Sequence, residues 1–165
     1  MGDNASKFKD LPPGIDPTLR EGNPHYGPRM QLFCRNGYHL IIRSDGSVLG
    51  DNDDSNPYAI MEFTSAGFGE VKIRGIQANL YLAFNKKGQL YGEIDPFEEA
   101  TIFRESLLNS WNIYLSKKYE HLNWYVGIKK SGKSKNGQLT KLGQKAIQFL
   151  PRRIPNNEDI IPLIE

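Results

Sequence analysis

YHLIIRSDGSVLG (38–50) and LYLAFNKKGQLYG (80–92) can be laid one over the other at a constant offset of 42 residues. Leu40 then meets Leu82, Ile42 meets Phe84, Gly46 meets Gly88, Val48 meets Leu90 and Gly50 meets Gly92. Each stretch reads as a strand, an Asp-Gly or Lys-Gly turn and a return strand, which is the pattern of a β-hairpin. A third copy, WYVGIKKSGK (124–133), places Gly132 another 44 residues along. A second landmark recurs as AIMEF (59–63), ATIF (100–103) and AIQF (146–149), with phenylalanines 40 and 46 residues apart. Two landmarks at one period define an internal repeat.

Three repeats of four short strands predict an all-β fold: a β-trefoil, in which a six-stranded barrel is capped by three hairpins. Alternating Leu, Ile and Phe would fill the barrel. A β-propeller has a similar repeat length but needs at least four blades, one more than this chain supplies. The 165 residues suit one domain, and 16 Gly, 10 Pro, 8 Tyr and 8 Phe favour turns joined by extended chain. The organisation expected is an N-terminal extension over 1–29, a core over 30–155 and an acidic, apolar tail over 156–165. The extensions are rich in Pro, Asn and acid and are expected to be flexible unless docked.

Several function classes are excluded by composition. No run approaches the roughly 18 apolar residues of a membrane span, so no membrane insertion is expected. Cys34 is the only cysteine, so no internal disulfide forms. His25, His39 and His121 are far apart and fit no metal spacing. DNDDSN (51–56) lacks the glycine and terminal glutamate of a calcium loop. No Ser motif forms a nucleophile elbow. The chain is expected to be no enzyme and to need no cofactor. No apolar leader is visible at the N-terminus. Gly2 with Ser6 matches the loose myristoylation pattern, and Asn4-Ala5-Ser6 is a glycosylation sequon.

The net charge of +2 conceals an asymmetry. Lys117 to Arg153 holds ten basic residues and one acid, Glu120, while the remainder carries eleven basic and eighteen acidic residues. Lys129, Lys130, Lys133, Lys135, Lys141 and Lys145 fall within seventeen residues with no acid among them. Such a loop either aids solubility or converges on a polyanion. No nucleic-acid signature accompanies it, and Trp124-Tyr125 suits packing better than base stacking.

IYLSKKYEHLNWYVGIKKSGKSKNGQLTKLGQKAIQFLP (113–151), with LFCRNGYHL (32–40), SDGSVLG (44–50), LYLAFNKKGQLYG (80–92) and Phe103-Arg104-Glu105, resembles the fibroblast growth factors over 30–155. CRNGYH and the LPR…IP ending look most like the glia-activating-factor branch, whereas the basic loop is closer to the founding members. Ala100 stands where the family usually carries a cysteine. The resemblance implies a heparan-sulfate site at Asn36, Lys129, Lys130, Lys135, Gln144 and Lys145, with Lys133 and Lys141 adding charge. Asn136 and Leu139 occupy positions often held by Arg, so heparin binding is expected to be weaker than in the founding members.

It also implies receptor contacts at Phe33, Trp111, Asn112, Leu150, Arg152 and Glu105. Glu105 takes the acidic position only after one-residue shifts around SLLNS; an ungapped alignment puts Arg104 there. Asn112 is expected to offer its amide to receptor backbone. NNEDIIPLIE (156–165) resembles a tail that joins the N-terminal extension in homodimers. The expected function is a secreted, extracellular ligand that binds heparan sulfate as co-receptor and activates a fibroblast growth factor receptor ectodomain. The rival is an intracellular homologous factor binding a channel or another cytosolic partner. A lectin-type trefoil would show Gln-x-Trp landmarks, and none occurs.

Overall fold

The computed structural model describes residues 27–155. Expectations for the sequon, the N-terminal glycine and the C-terminal tail lie outside them. Ten strands form: β1 (Gly27–Cys34), β2 (Tyr38–Ile42), β3 (Val48–Asp51), β4 (Met61–Gly67), β5 (Glu70–Gly75), β6 (Leu80–Phe84), β7 (Leu90–Glu93), β8 (Phe103–Leu108), β9 (Trp111–Ser116) and β10 (Phe149–Arg153). β1 begins inside the segment 1–29 set apart above, pairing with β4 through Gly27 and Phe63.

Six strands close a ring. β1 pairs with β4, β4 with β5, β5 with β8, β8 with β9, β9 with β10, and β10 returns to β1, all antiparallel. Closure pairs each of these six strands on both sides, which leaves only the short hairpin strands β3 and β7 at the ends of the sheet. Met30, Leu32, Leu40, Ile42, Leu82, Phe84, Val126 and Ile128 are buried in one cluster with Met61, Phe103 and Phe149. This is the β-trefoil expected from the repeat.

The hairpins β2–β3 and β6–β7 are regular ladders. The third, over 124–134, is not. It keeps one bridge, Ile128 to Ser134, and turn bonds from Lys129 N to Lys133 O (2.8 Å) and from Gly132 N to Lys129 O (2.9 Å). Its ascending arm divides its hydrogen bonds. Val126 N donates to Tyr114 O, Ile128 N to Ala146 O, and Gly127 O accepts from Lys135 N. Ser134 also takes the place that buried Val48 and Leu90 hold in the other two hairpins.

The hairpins are tied in a closed cycle by backbone bonds. Gly92 N donates to Gly46 O (2.8 Å), Gly137 N to Gly88 O (2.7 Å) and Gly50 N to Gly132 O (2.7 Å). Gly46, Gly88 and Gly132, at the turns, have φ of 87°, 81° and 88°, where only glycine sits without strain. Their partners are required for space. A Cβ at Gly50 would lie 2.6 Å from Tyr38 Cβ, at Gly92 2.9 Å from Ile42 Cγ2, and at Gly137 2.7 Å from Trp124 Cγ. Gly137 completes a column of which the sequence showed two members.

The second landmark also closes threefold, with a corrected register. One-turn 3-10 helices run Pro57–Ala59, Glu99–Thr101 and Lys145–Ile147, ending at Ile60, Ile102 and Gln148. The next residues, Met61, Phe103 and Phe149, are fully buried and equivalent. Phe63 lies two positions further on and packs edge-on against Tyr114 at 6.2 Å.

Candidate functional site

The loops between 128 and 146 are tied to the β1–β2 turn by side-chain donors that reach backbone carbonyls of 128 and 130. Asn36 Nδ2 donates to Ile128 O (2.9 Å) and Tyr38 Oη to Lys130 O (2.7 Å). Beneath them Cys34 Sγ lies 3.4 Å from Ala146 O. Burial pushes that thiol up to about 11, so it stays protonated and inert at neutral pH.

The result is an open groove of about 530 Å³. Asn36, Lys129, Lys130, Lys135, Gln144 and Lys145 all line it, together with Ala146. Lys133 and Lys141 are exposed but outside its lining. No lysine of this group forms an ion pair among the described residues. Four ammonium groups thus share one concavity without internal neutralisation, which is an arrangement for holding a flexible anion by several exposed contacts.

Two neighbours have structural tasks. Gln144 Oε1 accepts from Lys141 N (3.0 Å) and its Nε2 donates to Leu139 O (3.2 Å), bracing the 139–144 loop. Asn136 caps the 3-10 helix Gly137–Leu139 through Gln138 N (2.9 Å) and donates to Lys87 O (3.0 Å), joining the third hairpin to the second. It faces an adjoining depression between hairpin turns, which Lys129 and Lys135 also line.

The other predicted residues gather on the outer side of β1, β10 and β9. Phe33 and Leu150 are cross-strand partners, both half-buried. Arg152 lies over the Phe33 ring at 5.4 Å, and its Nη2 is 2.7 Å from His39 Nε2. A guanidinium can only donate, so His39 is neutral there with its proton on Nδ1. Burial, then the charge of Arg152, lowers the affinity of His39 for a proton. Trp111 is half-buried, and Arg35 stacks over it at 5.2 Å while Nη1 donates to Gln148 Oε1 (2.7 Å). Sequence reading passed over Arg35, although two-residue alternation from Phe33 puts it on the same face.

Asn112 and Glu105 differ from the rest. Each is 2% exposed. Asn112 Nδ2 donates to Glu105 Oε2 (3.3 Å), and Tyr114 Oη donates to the same oxygen (2.7 Å). The amide expected to face a receptor therefore has a partner inside the chain. Glu105 shares the inward side of β8 with Phe103, while Arg104 points out to Glu120 (2.6 Å) and Glu70 (3.5 Å). The shifted alignment is thus the one that joins the acidic residue to Asn112.

The Asp51–Asn56 loop uses its carboxylates on itself. Asp51 accepts from Asp53 N (3.0 Å) and Asn56 Nδ2 (2.7 Å), and Asp53 from Ser55 Oγ (2.7 Å) and Ser55 N (2.9 Å). These bonds lower the pKa of both aspartates.

A family profile described as fibroblast growth factor matches residues 28–150. A zebrafish (Danio rerio) protein named putative fibroblast growth factor 1 is 41% identical over 145 residues, 87% of this chain and 97% of its own length. Proteins named fibroblast growth factor 1 from Xenopus laevis and Notophthalmus viridescens are each 45% identical over 121 residues. That span is 73% of this chain and 78% and 92% of theirs, respectively.

Proposed function

Because the chain belongs to the fibroblast growth factor family, whose growth factors are signalling ligands and not enzymes, we propose that it is a secreted ligand that binds heparan sulfate and activates a receptor tyrosine kinase of the fibroblast growth factor receptor type. The observation that carries this reading is the groove in which Asn36, Lys129, Lys130, Lys135, Gln144 and Lys145 converge. Its charge density and openness suit a flexible sulfated chain.

The groove borders the aromatic face at consecutive residues, Arg35 on one and Asn36 on the other. A sulfated chain held in the groove would lie beside a receptor held on Phe33, Leu150 and Trp111. It would raise the effective concentration of receptor without contributing chemistry, and receptor dimerisation would follow.

Replacing Lys129, Lys130, Lys135 and Lys145 by Ala together tests the groove. At about 0.5–1 kcal/mol per exposed contact, the loss is about 2–4 kcal/mol. Elution from a heparin column should move to markedly lower salt, and unchanged elution would remove the assignment. Receptor phosphorylation in cells with and without heparan sulfate separates a secreted ligand from the intracellular alternative, which would give none in either.

A further inference from the structure

The large apolar side chains exposed among the described residues are Phe68, Ile94, Phe97, Leu122, Leu139 and Leu142. Four of these six sit on two loops, and the threefold repeat relates those loops to each other. In every repeat a connector joins the hairpin to its one-turn 3-10 helix, over 52–56, 94–98 and, longer, 135–144. The first is acidic and wholly polar. The second, Ile94-Asp95-Pro96-Phe97-Glu98, sets two apolar side chains among acids. The third sets Leu139 and Leu142 beside Lys141, with Lys145 just beyond its end.

Ile94 is 78% and Phe97 89% exposed, although their loop is braced. Glu93 Oε2 accepts from Asp95 N (2.9 Å), Asp95 Oδ1 accepts from Phe97 N (2.9 Å), and Lys72 Nζ donates to Pro96 O. A loop fixed by its own bonds thus holds two apolar groups in water, and covering them orders little further. Leu139 (59%) and Leu142 (60%) are presented likewise by the brace from Gln144. Neither leucine lines the lysine groove, so the heparin reading leaves both without a task. The charges are opposite. Glu98 is paired with Lys118 (3.3 Å), but Glu93, Asp95 and Glu99 form no ion pair among the described residues, and neither do Lys141 and Lys145.

We propose that the acidic connector of one copy docks on the basic connector of a second copy of this chain. Ile94 and Phe97 would cover Leu139 and Leu142, with Asp95 and Glu99 facing Lys141 and Lys145. The threefold arrangement sets the two connectors at separate corners of the barrel, so a second copy is needed to bring them together. The partner is this same chain because it carries the complement in both charge and apolar content. The two halves are unlike, so the contact is heterologous: each copy keeps one half free, and growth continues head to tail. Two loops bury less than a standard interface, which makes the association weak and dependent on concentration. Neither chain extension takes part.

Sedimentation of the full chain up to about 1 mM, which reaches weak complexes, should show a mass that rises with concentration past the dimer. Ile94→Ser with Phe97→Ser, or Leu139→Ser with Leu142→Ser, should each weaken the association by about tenfold or more. The two blocked variants mixed in equal amounts should recover it but stop at the dimer, since each supplies the half that the other lacks. That recovery also excludes misfolding as the cause of either loss. Asp54→Lys, on the acidic connector without apolar groups, should leave the association unchanged. A chain that stays monomeric at about 1 mM, or a mixture that fails to recover, would overturn the contact. Association that survives both pairs of substitutions would overturn it by placing the interface elsewhere. A loss with Asp54→Lys as large as that from the Ile94 and Phe97 changes would overturn it in favour of net charge alone.

Discussion

At the scale of single residues, the clearest lesson concerns Asn112. Asn112, between Trp111 and Ile113, is expected to offer its amide to a receptor, yet it is buried and its Nδ2 donates to Glu105 beneath the surface. Asn112→Ala should therefore cost about 1–3 kcal/mol of stability by leaving Glu105 short of a buried donor. Urea denaturation reads this directly, and an unchanged midpoint would show that the pair contributes nothing. Any receptor assay of this variant has to be read beside that measurement.

His39 gives a second prediction at this scale. Its pKa lies below the ordinary 6.5 because burial and Arg152 disfavour the charged form. The unfolded chain then binds the proton more readily, so stability is present above pH 6.5 and falls as pH drops from 6.5 through the folded value. Replacing His39 by Gln should flatten that slope in melting temperatures taken between pH 7.5 and 5. Cys34 behaves in the opposite range. With its thiol pushed from 9.0 to about 11, stability is lost as pH rises above 9, and a thiol reagent at pH 8 should label the protein only after unfolding.

At the scale of elements, the hairpins show how a repeat is specified and where it yields. Gly46 and Gly88 announce their turns through Asp-Gly and Lys-Gly, and both take the left-handed conformation that such turns need. Gly137 is as essential but silent, because nothing local shows that Trp124 will press on it. Gly137→Ala should cost about 1–3 kcal/mol through overpacking, measured as a lowered urea midpoint. The third hairpin lost its ladder for a reason equally invisible nearby. Its arm bonds to β9 and to the 144–148 turn, and Ser134 cannot fill an apolar site. The hairpin with the least regular ladder is thus the one whose turn lysines, Lys129 and Lys130, line the groove.

At the scale of the whole molecule, charge and fold are linked by binding. Four lysines in one concavity, in no ion pair among the described residues, repel each other in the free protein, and a polyanion held there as proposed would relieve this. Heparin should raise the melting temperature, and added salt should shrink the gain. A gain that persists at about 1 M salt, where the screening length falls to about 3 Å, would contradict an electrostatic origin.

The amino-acid order by itself determined the threefold period, the hairpin turns, the apolar alternation and the stretch in which the lysines lie. All of these are local: hydrogen bonding within a hairpin and the two-residue alternation of a strand are written in neighbouring positions. It also carried the family through motifs spread over three repeats. Only the closed barrel decided which distant residues meet. Asn36 reaches Ile128 across 92 positions, Cys34 reaches Ala146 across 112, and Arg152 reaches His39 across 113. Those meetings settle which side chains are buried with partners and which stand free, because burial depends on what packs from elsewhere in the chain and no spacing along one strand records it.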